Sequence, residues 1–136
     1  MEFKQKHPAP SLRQYVFPFA PAVRLICFPN AGAGASIYRP FSGFLPACIE
    51  LLSVQLPGRG DRLGQAAYRD MEAAARDIAL DIKRLPEMPT VLFGHSMGAI
   101  LAFETACILG EYGIGLKSLI VSGKSAPHVT GPSNRC

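Results

Sequence analysis

Thr90-Val91-Leu92-Phe93-Gly94-His95-Ser96-Met97-Gly98-Ala99 decides how the rest of the chain is read. Val91, Leu92 and Phe93 have strand character and are bounded upstream by Pro86 and Pro89, while residues 99–109 are apolar nearly all round, as in a buried helix. Between them, Gly94-His95-Ser96-Met97-Gly98 fits the G-x-S-x-G pattern of a sharp strand-to-helix turn with a serine at its apex. The positions two before and two after that serine crowd each other, so Gly94 and Gly98 have a steric role. Such a bend exposes the Ser96 hydroxyl above the sheet edge. It also sets the Met97 N–H and the positive helix end where they stabilise an oxyanion. Five positions are a weak signal alone; the flanking strand and helix make this one specific.

Upstream, Val23-Arg24-Leu25-Ile26-Cys27-Phe28 is predicted as a strand covered on both faces. The loop Pro29-Asn30-Ala31-Gly32-Ala33-Gly34-Ala35-Ser36 follows it. A glycine-rich loop of this kind can cradle a phosphate, but no third glycine follows Gly34 and no Gly-Lys-Ser/Thr appears, which disfavours nucleotide binding. The better reading is a loop that brings a second oxyanion-hole N–H, that of Ala31, with small residues allowing close backbone approach. Ser36 is expected to cap a helix over residues 37–45, which Pro40 keeps from becoming regular at once. Residues 49–56 read as a further strand, ending in Pro57-Gly58-Arg59-Gly60-Asp61-Arg62. Its two arginines are either solvated loop charges or anchors for substrate or loop.

Met71, Ala74, Ala75, Ile78, Ala79 and Ile82 recur at three- and four-residue steps, which predicts an amphipathic helix laid on a sheet. The helix after Ser96 is expected to end near Gly110 or Gly113, and residues 117–122 form a last strand. Alternating strand and helix imply an α/β fold with a mostly parallel sheet and ligands at the carboxyl ends of its strands. Asn30-Ala31, Pro57-Gly58-Arg59, Ser96 and Ser122-Gly123 all fall at that edge. Residues 1–22, with Pro8, Pro10, Pro18 and Pro21, read as an irregular arm with a short extended piece over residues 14–17.

A chain of 136 residues suits one domain, and its 49% apolar and 18% charged content excludes a disordered one. No run is long enough to span a membrane and residues 1–20 hold no signal-type apolar stretch, so a cytoplasmic protein is expected. Cys27, Cys48, Cys107 and Cys136 lack C-x-x-C or His spacing, so neither a metal site nor a disulfide framework is indicated; Cys27 and Cys107 read as core thiols. The net charge of +4 is spread along the chain, without the basic stripe of a nucleic-acid binder.

With Phe28-Pro29-Asn30-Ala31-Gly32-Ala33-Gly34-Ala35, Gln55-Leu56-Pro57-Gly58-Arg59, Phe93-Gly94-His95-Ser96-Met97-Gly98-Ala99 and Val121-Ser122-Gly123 in this order, the chain resembles the type II thioesterases of nonribosomal peptide and polyketide synthesis. The resemblance runs from about Arg24 to His128. It implies an α/β-hydrolase fold with helices on both faces, cut off before the lid and last strands, with residues 23–128 as a partial domain and 129–136 as a tail. It also implies an editing enzyme of antibiotic and secondary-metabolite biosynthesis that cleaves acyl or peptidyl groups from the phosphopantetheine arm of carrier domains. Ser96 would be the nucleophile, Met97 and Ala31 the oxyanion hole, and Gly94, His95 and Gly98 the elbow, with no cofactor, metal, nucleic acid or membrane involved. Asn30 stands where the family commonly has histidine and Ala33 where it has glycine; neither change removes a backbone donor.

In that family the catalytic acid and histidine lie beyond the lid, after the last residue of this sequence. His7, His95 and His128 are the histidines present, and no Asp or Glu follows Glu111. A serine hydroxyl needs a base, and the base an orienting acid, so this segment alone is expected to hydrolyse little. His95 reads as structural and His128 is the one candidate substitute base. Two other readings stay open: a non-catalytic carrier-docking module, and a general esterase of the same fold.

Overall fold

A computed structural model describes residues 5–30 and 32–123. Six strands form one sheet in the order β1-β2-β4-β3-β5-β6: β1 Lys6–Ala9, β2 Leu12–Val16, β3 Val23–Phe28, β4 Ile49–Val54, β5 Thr90–His95 and β6 Ser118–Ser122. Strands β4, β3, β5 and β6 run parallel, so their carboxyl ends meet at one edge. The expected irregular arm is instead a β-hairpin whose second strand pairs antiparallel with β4. Pro8 is tolerated because β1 is an edge strand, which can do without a ladder donor on its outer side, and Pro10 falls in the turn.

Alternation along the strands divides the core. Ile26 and Phe28 of β3, Leu52 and Val54 of β4 and Leu92 of β5 face the two helices, α1 Met71–Lys83 and α2 Met97–Glu111. Burying an aliphatic or aromatic side chain of this kind contributes about 1.5–3 kcal/mol each, so this layer carries most of the hydrophobic stabilisation. Leu51, Cys27, Leu25 and Phe93 face the opposite side, where Tyr38, Phe41 and Leu45 cover them. The Tyr38, Phe41 and Phe93 rings meet edge to face at centroid distances of 5.1 to 5.9 Å. The segment that supplies this cover is a 3-10 helix over Ala35–Gly43 with Gly34 at its N-cap, so it starts two residues earlier than a cap at Ser36 would have it. Pro40 lies inside it. The covering of this face thins toward β6, where Ile120 is 48% exposed.

Helix α1 starts where Asp70 accepts the Ala73 N–H at 2.8 Å and presents Ala74, Ala75, Ile78, Ala79 and Ile82 to the sheet, as the periodicity predicted. Asp81 of α1 is buried and accepts from both the N–H and hydroxyl of Ser11, fastening the hairpin. Helix α2 ends at a C-cap of Tyr112, followed by Gly113 at φ 77°. Cys27 is a buried free thiol, its pKa pushed up to about 12 by that burial, and Cys107 of α2 is buried as well. No helix among the described residues is long and apolar enough to cross a membrane. The 129–136 tail lies outside the described residues.

Candidate active site

Ser96 has φ 58° and ψ −123°, the only non-glycine residue with positive φ among those described. A conformation of this type costs on the order of 1–3 kcal/mol and persists only where surroundings fix it. Three contacts do so here. The Ser96 N–H donates to Ser122 O at 2.8 Å, its carbonyl accepts the Ala99 N–H at 3.0 Å, and β5 pairs with β6 through His95 and Ser122. The glycines supply the space. A Cβ on Gly94 would overlap the Gly98 carbonyl and approach Ala99 Cα to 2.7 Å, and one on Gly98 would overlap the Phe28 carbonyl. Gly94 thus fits against Gly98, as expected, and Gly98 fits in addition against the end of β3.

That second fit brings the loop after β3 to the elbow, since a Gly98 Cβ would also lie 2.8 Å from the Pro29 carbonyl. Residue 31, expected to hold the second oxyanion N–H, lies outside the described residues. The Ala33 N–H donates to Asn30 O at 3.1 Å, and Gly32 has φ 84°. Met97 begins α2 and is 39% exposed, its backbone N–H at the positive end of a 15-residue helix.

The imidazoles are engaged elsewhere. His95 Nδ1 lies 3.2 Å from Ser122 Oγ, and its ring fills the space beside Gly123, where a Cβ would come within 2.8 Å of Nδ1. His7 lies 2.8 Å from the Gln5 amide and 3.3 Å from the Asp61 carboxylate. His128 lies outside the described residues. Among the described residues no imidazole is hydrogen-bonded to Ser96, and no group of three His, Cys, Asp or Glu side chains could hold a metal ion.

A cleft of about 340 Å³ opens beside the elbow, bounded by Pro29 and Asn30 of one loop, Leu56 and Arg59 of the next, Tyr68 and Met71 before and on α1, and Met97 and Leu101 of α2. Its walls are mainly apolar. Tyr68 turns its hydroxyl away to donate to Asp77 Oδ2 at 2.8 Å. Of the two loop arginines, Arg62 is an anchor, donating to Gln55 O and Gln65 Oε1 at 2.8 Å each. Arg59 is exposed, bonds only its neighbour's carbonyl and lines the cleft.

Sequence reasoning missed the network that ties these loops. Buried Arg13 of β2 donates through Nε and Nη2 to both oxygens of Asp61, each at 2.8 Å. That bidentate bond, chiefly, and an amide from Gln55 hold the Asp61 carboxyl down at about 2 against its ordinary 3.8. Gln55 is buried and donates to Asp61 Oδ1 at 3.3 Å while accepting the Ala35 N–H at 2.7 Å. The Ala35 N–H, at the start of the 3-10 helix, is thus satisfied by a side chain from across the loop. Nothing in local spacing signals a contact between residues 48 positions apart.

The thioesterase domain family matches residues 23–135. The chain is 46% identical over 119 residues to a "Probable cadicidin biosynthesis thioesterase" of Streptomyces griseus, covering 88% of this chain and 33% of that protein. It is 41% identical over 123 residues to the thioesterase PikA5 of Streptomyces venezuelae, covering 89% of this chain and 41% of the other. Among solved structures, the type II thioesterase BorB of the borrelidin cluster superposes with a TM-score of 0.81 at 37% identity, over 95% of this chain and 53% of that one. RedJ of the prodiginine pathway in Streptomyces coelicolor gives 0.74 at 44% identity, over 83% and 43%. The chain therefore spans between a third and about half of these relatives' lengths. Family match, close relatives and a mostly parallel sheet with an elbow at its carboxyl edge agree: the chain belongs to the thioesterase domain family, with an α/β-hydrolase-type fold.

Proposed function

We propose that the full-length protein is a type II editing thioesterase, hydrolysing acyl or peptidyl groups from the phosphopantetheine arms of carrier domains in nonribosomal peptide or polyketide synthesis. The observation that carries this reading is the strained Ser96 apex, standing at the start of α2 with the post-β3 loop against it. Ser96 Oγ attacks the thioester carbonyl carbon as a base removes its proton. The developing oxyanion is received by the Met97 N–H and by one from Ala31. The C–S bond then breaks, the thiol leaves with the proton, and water cleaves the acyl-serine ester to free acid and Ser96. The protein needs no cofactor of its own, because its substrate arrives already attached to the carrier. This reading makes it a cytoplasmic partner of a synthetase.

The base has to come from residues outside those described, since His7 and His95 are engaged with Asp61 and Ser122. Residues 5–123 taken alone are therefore expected to turn over little. The test is hydrolysis of an acyl-pantetheine thioester by the full-length protein and its Ser96→Ala variant. The variant should lose at least about 1000-fold in kcat, the scale of triad loss. Equal turnover by both proteins would overturn the nucleophile assignment. Carrier binding without any turnover would point to a docking module, and faster cleavage of oxygen esters than of thioesters to a general esterase.

A further inference from the structure

The loop over residues 29–35 consists, after Asn30, of alanine and glycine alone, so it has no side chains with which to hold its own shape. Gly32 at φ 84° faces open space. Its near end is fixed where the Phe28 and Pro29 carbonyls fit against Gly98. The far end is fixed by a residue outside the elbow motif: Gln55, just past β4, accepts the Ala35 N–H at 2.7 Å.

Gln55 is itself locked. It is 5% exposed, its amide donates to Asp61 Oδ1 at 3.3 Å, and Asp61 is gripped by Arg13 from the hairpin. Two glycines make room for the carboxamide. A Cβ on Gly60, which sits at φ 48°, would collide with it, and one on Gly34 would come to 3.2 Å of Oε1. The hairpin, the post-β4 loop and the post-β3 loop therefore meet at one buried amide.

We infer that Gln55, locked by Asp61 and Arg13, is a positioning residue that holds the far end of the post-β3 loop in place beside the elbow. This rests on the proposed serine chemistry. Oxyanion donors act at the place where charge develops, and a shift of about 1 Å in a catalytic constellation costs on the order of 100-fold in rate. A loop of small residues pinned at one end can move by that much; pinned at both ends it cannot. Gln55 touches neither substrate nor Ser96, so its effect belongs in kcat and not in KM.

The experiment compares Gln55→Leu, Gln55→Glu and Ile82→Ala in the full-length protein, by acyl-pantetheine hydrolysis and by amide exchange. Gln55→Leu should lower kcat about 100-fold with KM within about twofold, and speed exchange at the Ala35 amide at least about tenfold while α2 keeps its protection. Gln55→Glu keeps the acceptor but sets a carboxylate beside Asp61. Its kcat should recover as the pH falls and the new carboxyl protonates, adding an ionisation that the wild type lacks. Ile82→Ala removes core packing at the amino end of the sheet, away from the loops, and should lower Tm with kcat unchanged. Unchanged Ala35 exchange in Gln55→Leu would remove the clamp, and wild-type kcat beside faster exchange would remove its role. Turnover insensitive to Ser96→Ala would overturn the hydrolase reading and the clamp's catalytic role together, while Ala35 exchange would still decide whether the clamp exists.

Discussion

Two buried arginines, at opposite ends of the same strands, are paired in different ways. At the amino end Arg24 and Glu50 sit side by side in the β3–β4 register, with side chains 5% and 11% exposed, and Arg24 also donates to Pro86 O at 2.9 Å. At the carboxyl end Arg13 is equally buried, but its partner Asp61 is 36% exposed and belongs to a loop. The first pair is closed: strand holds strand. The second reaches outward, holding through Gln55 a loop that borders the elbow. The difference teaches that burial on one side of a salt bridge secures the sheet, while exposure on the other leaves the pair able to control a segment with little packing of its own.

The largest expected effect breaks the closed pair. Glu50→Ala leaves the Arg24 guanidinium buried without its carboxylate and should cost about 3–5 kcal/mol of stability, measured by urea unfolding. A loss below about 1 kcal/mol would mean that Pro86 O and water satisfy Arg24, erasing the contrast. Asp61→Asn should cost less, under about 1 kcal/mol at pH 7, because solvent screens a carboxylate exposed to this extent.

The sign of its pH dependence follows from the depressed carboxyl. The folded state titrates at about 2 against 3.8, so as pH falls the unfolded chain takes up the proton first. The contribution is complete above about pH 4 and is lost as the pH drops through 2, so the stability gap between wild type and Asp61→Asn should close over that window. A gap that widens on acidification would contradict the Arg13 grip. The smallest effect runs the other way. Ser53 of β4, between the two pairs, buries a hydroxyl with no hydrogen-bond partner among the described residues, and Ser53→Ala should stabilise by up to about 1 kcal/mol.

How much of this was legible in the sequence depended on how local the cause was. The elbow was readable because one of its constraints acts within five residues: Gly94 relieves an overlap with Gly98 that the bend itself creates, whereas the fit of Gly98 against Phe28 is not local. Helix α1 was readable because its apolar period matches one buried face. The hairpin was not. Pro8, Pro10, Pro18 and Pro21 argue for irregular chain, and what makes Leu12–Val16 a strand is pairing with β4, nearly forty residues away. Expecting an extended piece over residues 14–17 caught part of that strand. The loop arginines show the same limit. Arg62 anchors and Arg59 lines the cleft, yet both sit in one Pro-Gly-Arg-Gly-Asp-Arg run that spacing cannot divide. Gln55 was quoted as part of a motif, but its use rests on a three-way meeting of segments that no window contains.

The bond from the Ser96 amide to Ser122 O has a consequence for biogenesis. Chains emerge from the ribosome amino end first, so β5 and the bend after it leave the exit tunnel before β6 can pair with them. Until residue 122 is out, nothing on that side restrains the strained backbone, and the nascent chain has a serine but no fixed direction for it. The bend is thus completed only after translation has passed residue 122, when the neighbouring strand closes beside it.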